Sequence, residues 1–404
     1  MLEVIKMKVG VVFGISEIAN PKAFEKKASK FLMRLANEFE IEGGLFVSSK
    51  SDTREVDFKE VDIIVLYPLT GGTENALKEF AYYRKPIVLF GDSSNNSIAA
   101  AIELREYFRD LLIPAALVKS FDELKAAILG YDDMKELFNK FLNIRLGLIG
   151  RTSTWLINEK FNLPYVHISL KKFYEYYDAT TEVEGWKAVE GIVTKAMDIK
   201  EPQREDLVKT GRIYVALKKI IQDYKLDGFA IGCFEMLNKL NTTPCLALAM
   251  LNAEGIPAAC EGELNSLLGM LIVRRFFDKP AFMGNIADYG ENHIILAHCT
   301  APLIANYILR SHFESGKGVG VAVSLPKGRA SLLKIRGRKA VVAGVEVVGQ
   351  ERSEYRCRTQ MKLKIEEAGD FIDGTLGNHH LLVYVNSEEL ADLLSELGFE
   401  VMLY

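Results

Sequence analysis

Three stretches of this sequence, far apart in the chain, carry side chains whose types and spacing could do chemistry together. The apolar run 256–260 breaks directly into Glu261-Gly262-Glu263. Such a run reads as a buried strand, so the acid at its end stands where a sheet edge opens, and open α/β sheets bind ligands at that edge. A carboxylate there is only partly solvated and costs free energy unless it holds a cation or moves a proton, which points to function at Glu261. The alternative is an N-cap or first-turn acid on the following helix, favoured by the helix dipole, and it suits Glu263 better than Glu261. About two dozen residues later, Phe282-Met283-Gly284 breaks the same way into Asn285, with Asp288 just beyond. The run 288–292 also has the composition of a hairpin turn, which gives Asp288 a purely structural alternative. Gly377-Asn378-His379-His380 places imidazoles on a glycine-led turn. One carboxylate, a second oxygen donor and one neutral imidazole form a donor set for Mn²⁺ or Mg²⁺, with water and substrate hydroxyls completing the shell. His298 ends an apolar strand beside Cys299 and reads as a hydrogen-bonded structural histidine.

These residues need a scaffold, and the hydrophobic pattern describes one. Residues 1–142 alternate apolar strands (9–14, 44–48, 63–67, 86–90, 115–118) with amphipathic helices, the signature of a parallel doubly wound sheet. The order restarts at 143–300, which forms a second α/β domain and contains the acidic stretch. From 301 to 404 the texture becomes glycine-rich and β-type after a helix expected at 302–309, which predicts a smaller, mostly antiparallel domain. Two turns at strand ends, Leu69-Thr70-Gly71-Gly72-Thr73-Glu74 and Gly150-Arg151-Thr152-Ser153-Thr154-Trp155, could offer hydroxyls, backbone N–H groups or a guanidinium to a polar ligand. A glycine turn with a threonine cap, and a solvated arginine, are the plainer readings of the same residues. Neither G-x-G-x-x-G after the first strand nor a P-loop occurs, so a dinucleotide or nucleotide site has no support.

The charge balance, 50 Lys plus Arg against 54 Asp plus Glu, gives a net charge of -4 and favours neither nucleic acid nor an anionic membrane as partner. No apolar run approaches the roughly 20 residues needed to span a bilayer. Five cysteines without zinc-type spacing suggest reduced, buried thiols and a cytoplasmic setting.

Taken together, Thr243-Pro244-Cys245, Gly255-Ile256, Ala259-Cys260-Glu261, Phe282-Met283-Gly284-Asn285, His298-Cys299 and Gly377-Asn378-His379 resemble the L-fucose isomerase family, related in fold to L-arabinose isomerases. The resemblance implies two Rossmann-like domains followed by a β-rich C-terminal domain, and a homo-oligomer with sites near subunit contacts. It also implies an Mn²⁺-dependent aldose–ketose isomerase that works on a small-molecule sugar through an enediol. Such enzymes hold their metal with a Glu, an Asp and a His. The Glu falls on Glu261 and the His on His379, whereas the Asp position is occupied by Asn285, an uncharged amide. Asp288 is then the candidate to compensate as second acid, and Thr73, Arg151, Thr152 and Asn378 are the expected contacts to substrate. Asn285 also leaves open a sugar-binding relative without catalysis, or another metal-assisted reaction on a polyol or sugar acid.

Overall fold

Short apolar runs separated by amphipathic helices build a five-stranded parallel sheet in the first 143 residues: β1 Lys8–Gly14, β2 Glu40–Val47, β3 Ile63–Pro68, β4 Ile87–Phe90 and β5 Ala115–Val118, in the order β2-β1-β3-β4-β5. The computed structural model describes residues 7–157 and 159–404, which divide into two compact units between Asn143 and Ile144. β3 is buried along its whole length, as a strand covered on both faces must be, and it carries six consecutive residues with no charge. Helices Glu25–Ala36, Ser97–Asp110 and Phe121–Asp133 pack against the sheet. Phe13, Phe31, Tyr67 and Phe90 form an aromatic cluster on one face, with centroid separations of 4.8 to 6.0 Å. The strand order reverses between β1 and β3, so the turns after those two strands face one crevice.

The second unit opens with another parallel sheet. Its strands are β6 Leu146–Ile149, β7 Tyr165–Ile168, β9 Gly228–Ile231 and β10 Ala258–Ala259, in the order β10-β9-β6-β7, with β8 Asp198–Ile199 outside it. Helices Glu182–Lys195 and Arg204–Tyr224 lie so close that a Cβ on Gly211 would sit 1.9 Å from the Gly185 carbonyl oxygen, so glycine is required at that crossing. Helix Leu264–Phe277 then leads away from the parallel sheet into β11 Ala281–Gly290 and β12 His293–His298, an antiparallel hairpin. β13 Tyr307–Arg310, β14 Gly320–Val323, β15 Gly328–Arg336, β16 Lys339–Gln350, β17 Thr359–Lys364, β18 His380–Val383 and β19 Glu400–Leu403 follow. Four of them join β11 and β12 in a closed antiparallel barrel, β15-β18-β11-β12-β17-β16, with β16 pairing back to β15. Phe282, Leu296, Leu332, Val341, Met361 and Leu382 belong to its buried core.

Two features differ from the sequence expectations. The β-rich part recruits residues 281–298, because the strand after helix Leu264–Phe277 pairs with β12 and β18 instead of returning to the parallel sheet. An apolar strand carries no mark of which sheet it will join. The segment expected as a helix at 302–309 is irregular up to Asn306 and then forms β13, whose burial alternates residue by residue as it pairs with β14 and β8. That alternation is the strand period, and the Pro302-led apolar run obscured it. Among the described residues no helix is long and apolar enough to cross a membrane.

Candidate metal centre

Glu261 sits just past β10 in a left-handed backbone conformation, φ +60°, which is uncommon for a residue with a Cβ. The conformation is imposed by a clamp. Gly262 follows at φ +68°, where a Cβ would meet the Arg151 carbonyl oxygen at 2.6 Å. Its N–H donates to Ile231 O at the end of β9, and Ser153 N–H donates to Glu261 O at 2.9 Å. The Thr152 hydroxyl donates to Gly262 O at 3.0 Å. The turn after β6 and the turn after β10 are thus stitched together, and their joint product is a fixed direction for one carboxylate.

That carboxylate meets three groups. Trp155 Nε1–H donates to Oε2 at 2.6 Å, while the indole stacks edge-on against Phe234. Oε1 faces two imidazoles: His298 Nε2 at 3.4 Å, from the end of β12, and His379 Nε2 at 3.5 Å, from the residue before β18. All three side chains are buried, and one ligand atom from each lies within 4.8 Å of the others. His298 is oriented from behind by the Thr300 hydroxyl, 2.9 Å from Nδ1. His379 Nε2 has no hydrogen-bond partner, and Nδ1 lies 2.7 Å from Glu263 Oε2 without being aligned to it as a hydrogen bond. Glu263, itself fully buried, also receives the Lys334 ammonium on its other oxygen.

The electrostatics follow from this crowding. Burial pushes the Glu261 carboxyl up, but the closeness of His298 and His379 outweighs it and holds the group far below the usual carboxylate range. For His379, burial favours the neutral ring, yet the charge of Glu263 and contacts with Glu261 and Glu263 prevail and raise it to about 9. Glu263 is held at about 2, burial again being overcome by His379 and Lys334. His380, buried beside Lys334, is pushed down to about 3 and is neutral.

The two separations at Glu261 suit a cation. Donor atoms bonded to a metal at roughly 2.1 Å, with angles between 90° and 109°, stand about 3.0–3.4 Å apart. The two O···N separations at Glu261 lie at or just beyond the top of that span, too long for good hydrogen bonds, and an imidazole nitrogen is left without a partner in a buried place. Glu261, His298 and His379 therefore form a group that could hold a metal ion.

The structure brings Glu261 and His379 together as their sequence context suggested, and it adds His298, which the sequence reading had assigned to structure. The remaining expected residues stand elsewhere or are already engaged. Asp288 is excluded from the group: it lies in an irregular stretch of β11, exposed, with its carboxylate ion-paired to Arg356. The hairpin turn falls at Glu291-Asn292 instead, so β11 carries Asp288 out along an exposed strand. Asn285 is half-buried on β11, opposite Ala297 and so one ladder step from His298, with its Oδ1 receiving the Asn378 amide at 2.6 Å. Asn378 also accepts from Ile286 N–H, so both ends of its side chain serve the turn. Thr152 is tied into the clamp, and the Arg151 side chain is exposed. Thr73, in the first unit, is fully buried and its hydroxyl donates to Thr70 O. Trp155, the partner of Glu261, was legible only as part of a polar turn.

A buried carboxylate with two converging imidazoles at the exit of an α/β sheet defines the class of the site, a candidate metal centre. Comparison with known proteins adds a more particular likeness. The sulfoquinovose isomerases of Priestia aryabhattai and Priestia megaterium are each 28% identical to this chain over 101 residues, which is 24% of this chain and 23% of theirs. That of Alkalicoccus urumqiensis is 28% identical over 90 residues, 21% of this chain and 20% of its own. The matched stretch thus spans less than a quarter of these curated relatives. No family profile matches the chain.

Proposed function

We propose that this protein is a metal-dependent aldose–ketose isomerase acting on a small sugar, of the kind its motifs resemble. The observation that carries the reading is the convergence of Glu261 Oε1, His298 Nε2 and His379 Nε2 in a buried place, with His379 Nε2 left unpartnered. The partial similarity to proteins named sulfoquinovose isomerase supports the same class of reaction. Two imidazoles make Mg²⁺ a poorer match than a first-row transition ion, and with the carboxylate present we take Mn²⁺. When bound, such an ion polarises the oxygens on the two carbons between which hydrogen moves.

The residues of the chain supply the rest. Glu261 is ionised throughout the working pH range, so it begins as a proton acceptor and takes the proton from C2. The same carboxylate returns it to C1, while the O2 hydroxyl proton passes to O1. Oε1 faces the two imidazoles and would serve the ion, so the proton is carried on Oε2, which Trp155 Nε1–H holds in place. Asp288 takes no part because Arg356 holds it, and Glu263 is sealed between Lys334 and His379. The exposed Arg151 beside the clamp is the available cation for an oxygen-rich or anionic substituent of the sugar. A homo-oligomer working in the cytoplasm belongs to the same proposal.

The test is exchange of C2 deuterium with solvent, followed by NMR, for a panel that includes sulfoquinovose, L-fucose and L-arabinose in excess Mn²⁺. Exchange that stops on chelation is expected, and no exchange across the panel would overturn the isomerase reading. Asn285 favours one alternative, a sugar-binding relative without turnover, because its amide oxygen is already engaged by Asn378. That reading predicts sugar-dependent thermal stabilisation insensitive to chelator.

A further inference from the structure

We infer that Glu263, braced by Lys334, is a positioning residue that fixes His379 so that Nε2 faces the metal. The inference rests on the metal-dependent reading above and concerns how the protein prepares one ligand. The three side chains form a line across the buried centre of the second unit. The Lys334 ammonium, on β15, meets Glu263 Oε1; Glu263 Oε2 lies 2.7 Å from His379 Nδ1; and His379 Nε2, on the far side of the ring, faces Glu261 Oε1 at 3.5 Å. Glu263 and the His379 ring are almost wholly inaccessible, and Lys334 nearly so.

A neutral imidazole has one N–H and one lone pair. An ionised carboxylate can only accept, so its place beside Nδ1 keeps the proton there and leaves the lone pair on Nε2, the nitrogen facing Glu261 and His298. No other hydrogen-bond or ion-pair partner of Nδ1 is found among the described residues. A carboxylate fully removed from water is costly unless a cation stays with it. Lys334 is that cation. A salt bridge serving stability alone needs only one oxygen of Glu263, and it gives no reason for the second to be left without a hydrogen bond, aimed at a histidine. Partners of this kind behind a metal-binding histidine are worth about 10–100-fold in metal affinity.

The experiment measures Mn²⁺ affinity by competition with a fluorescent chelator, together with the visible spectrum of the Co²⁺ form, for the native chain, Glu263→Gln, Glu263→Asp and Lys334→Met. Unfolding temperature in chelator is recorded for each. Glu263→Gln is expected to weaken Mn²⁺ by about 10–100-fold and to alter the Co²⁺ bands, with Glu263→Asp recovering part of the loss and Lys334→Met losing less than Glu263→Gln. Affinity within twofold of native and an unchanged Co²⁺ spectrum in folded Glu263→Gln would overturn the assignment. Should the variants not fold, the native protein decides: in ¹⁵N-histidine-labelled, Zn²⁺-loaded protein, His379 must show a protonated Nδ1 and a ligated Nε2, and the reverse pattern overturns it. If the native chain binds neither Mn²⁺ nor Co²⁺, the metal-dependent reading itself fails and takes this inference with it, a result distinct from a native chain that binds and a variant that binds equally well.

Discussion

Each unit has a parallel sheet whose strands end in polar turns, yet the two edges are finished differently. In the first unit, Asp92 just beyond β4 accepts from Lys27, Tyr67 and Ser94, and the loop is further closed by Gly71 N–H donating to Asn95 O. Burial would raise the Asp92 carboxyl, but those donors hold it at about 2, and its charge is fully answered from within the protein. In the second unit the charges around Glu261 are answered only in part: Trp155 serves Oε2, but His379 Nε2 has no hydrogen bond, and the groups facing Oε1 stand at 3.4 and 3.5 Å. Polarity at a sheet edge is thus common to both, and it is the unmet valence that separates a candidate site from a well-finished turn.

The sharpest way to break this contrast is to remove charge from both edges. Alanine at Glu261, His298 or His379 should weaken Mn²⁺ binding by more than about 100-fold, since each supplies a direct ligand. Asp92→Ala should leave Mn²⁺ affinity unchanged while costing about 1–3 kcal/mol of stability through its orphaned donors. Calorimetric titration and urea unfolding read the two effects, and equal losses of metal affinity at both edges would dissolve the distinction.

The pH dependence has opposite signs at the two edges. His379 is raised from 6.5 to about 9, so in the metal-free protein its contribution is fully present below pH 6.5 and is lost as pH rises through about 9. Mn²⁺ must displace that proton, and its affinity should climb about tenfold per pH unit from 6.5 and level off above 9. Asp92, lowered from 3.8 to about 2, stabilises above pH 3.8 and stops doing so as pH falls through about 2. Chelator-treated protein unfolded between pH 2 and 10 would show both limbs; a stability that does not fall between 6.5 and 9 contradicts the histidine limb.

Smaller effects refine the second edge. Asn285→Asp adds a charge one ladder step from His298 and should strengthen Mn²⁺ by up to about tenfold, measured in the same competition assay. Asp288→Asn, by contrast, removes only an exposed pair with Arg356 and should change stability by no more than about 0.5 kcal/mol, with no change in metal affinity.

These residues also show how far the sequence could be read. Glu261 and His379 were visible because each interrupts its surroundings, an acid at the end of an apolar run and an imidazole after a glycine. His298 was invisible because it continues an apolar strand, and what makes it a candidate ligand is the arrival of Glu261 and His379 from 37 and 81 residues away. Asp288 misled for the converse reason: its nearness in sequence to Asn285 says nothing about direction along a strand that runs outward. The alternation of strands and helices conveyed the two parallel sheets, while the barrel depends on pairings between distant strands, which no local pattern encodes.

The position of β18 in the barrel has a consequence for how the protein is made. This strand, residues 380–383, fits between β15 and β11, so a nascent chain already released as far as β17 would hold an open sheet with two unpaired edges. The insertion that seals those edges also delivers His379, the residue immediately before it. Ring closure and assembly of the candidate metal centre are then one event, and a ribosome-bound chain halted before residue 379 would have neither. The first unit, whose sheet is complete by β5, has no such dependence and can fold while the rest is still being translated.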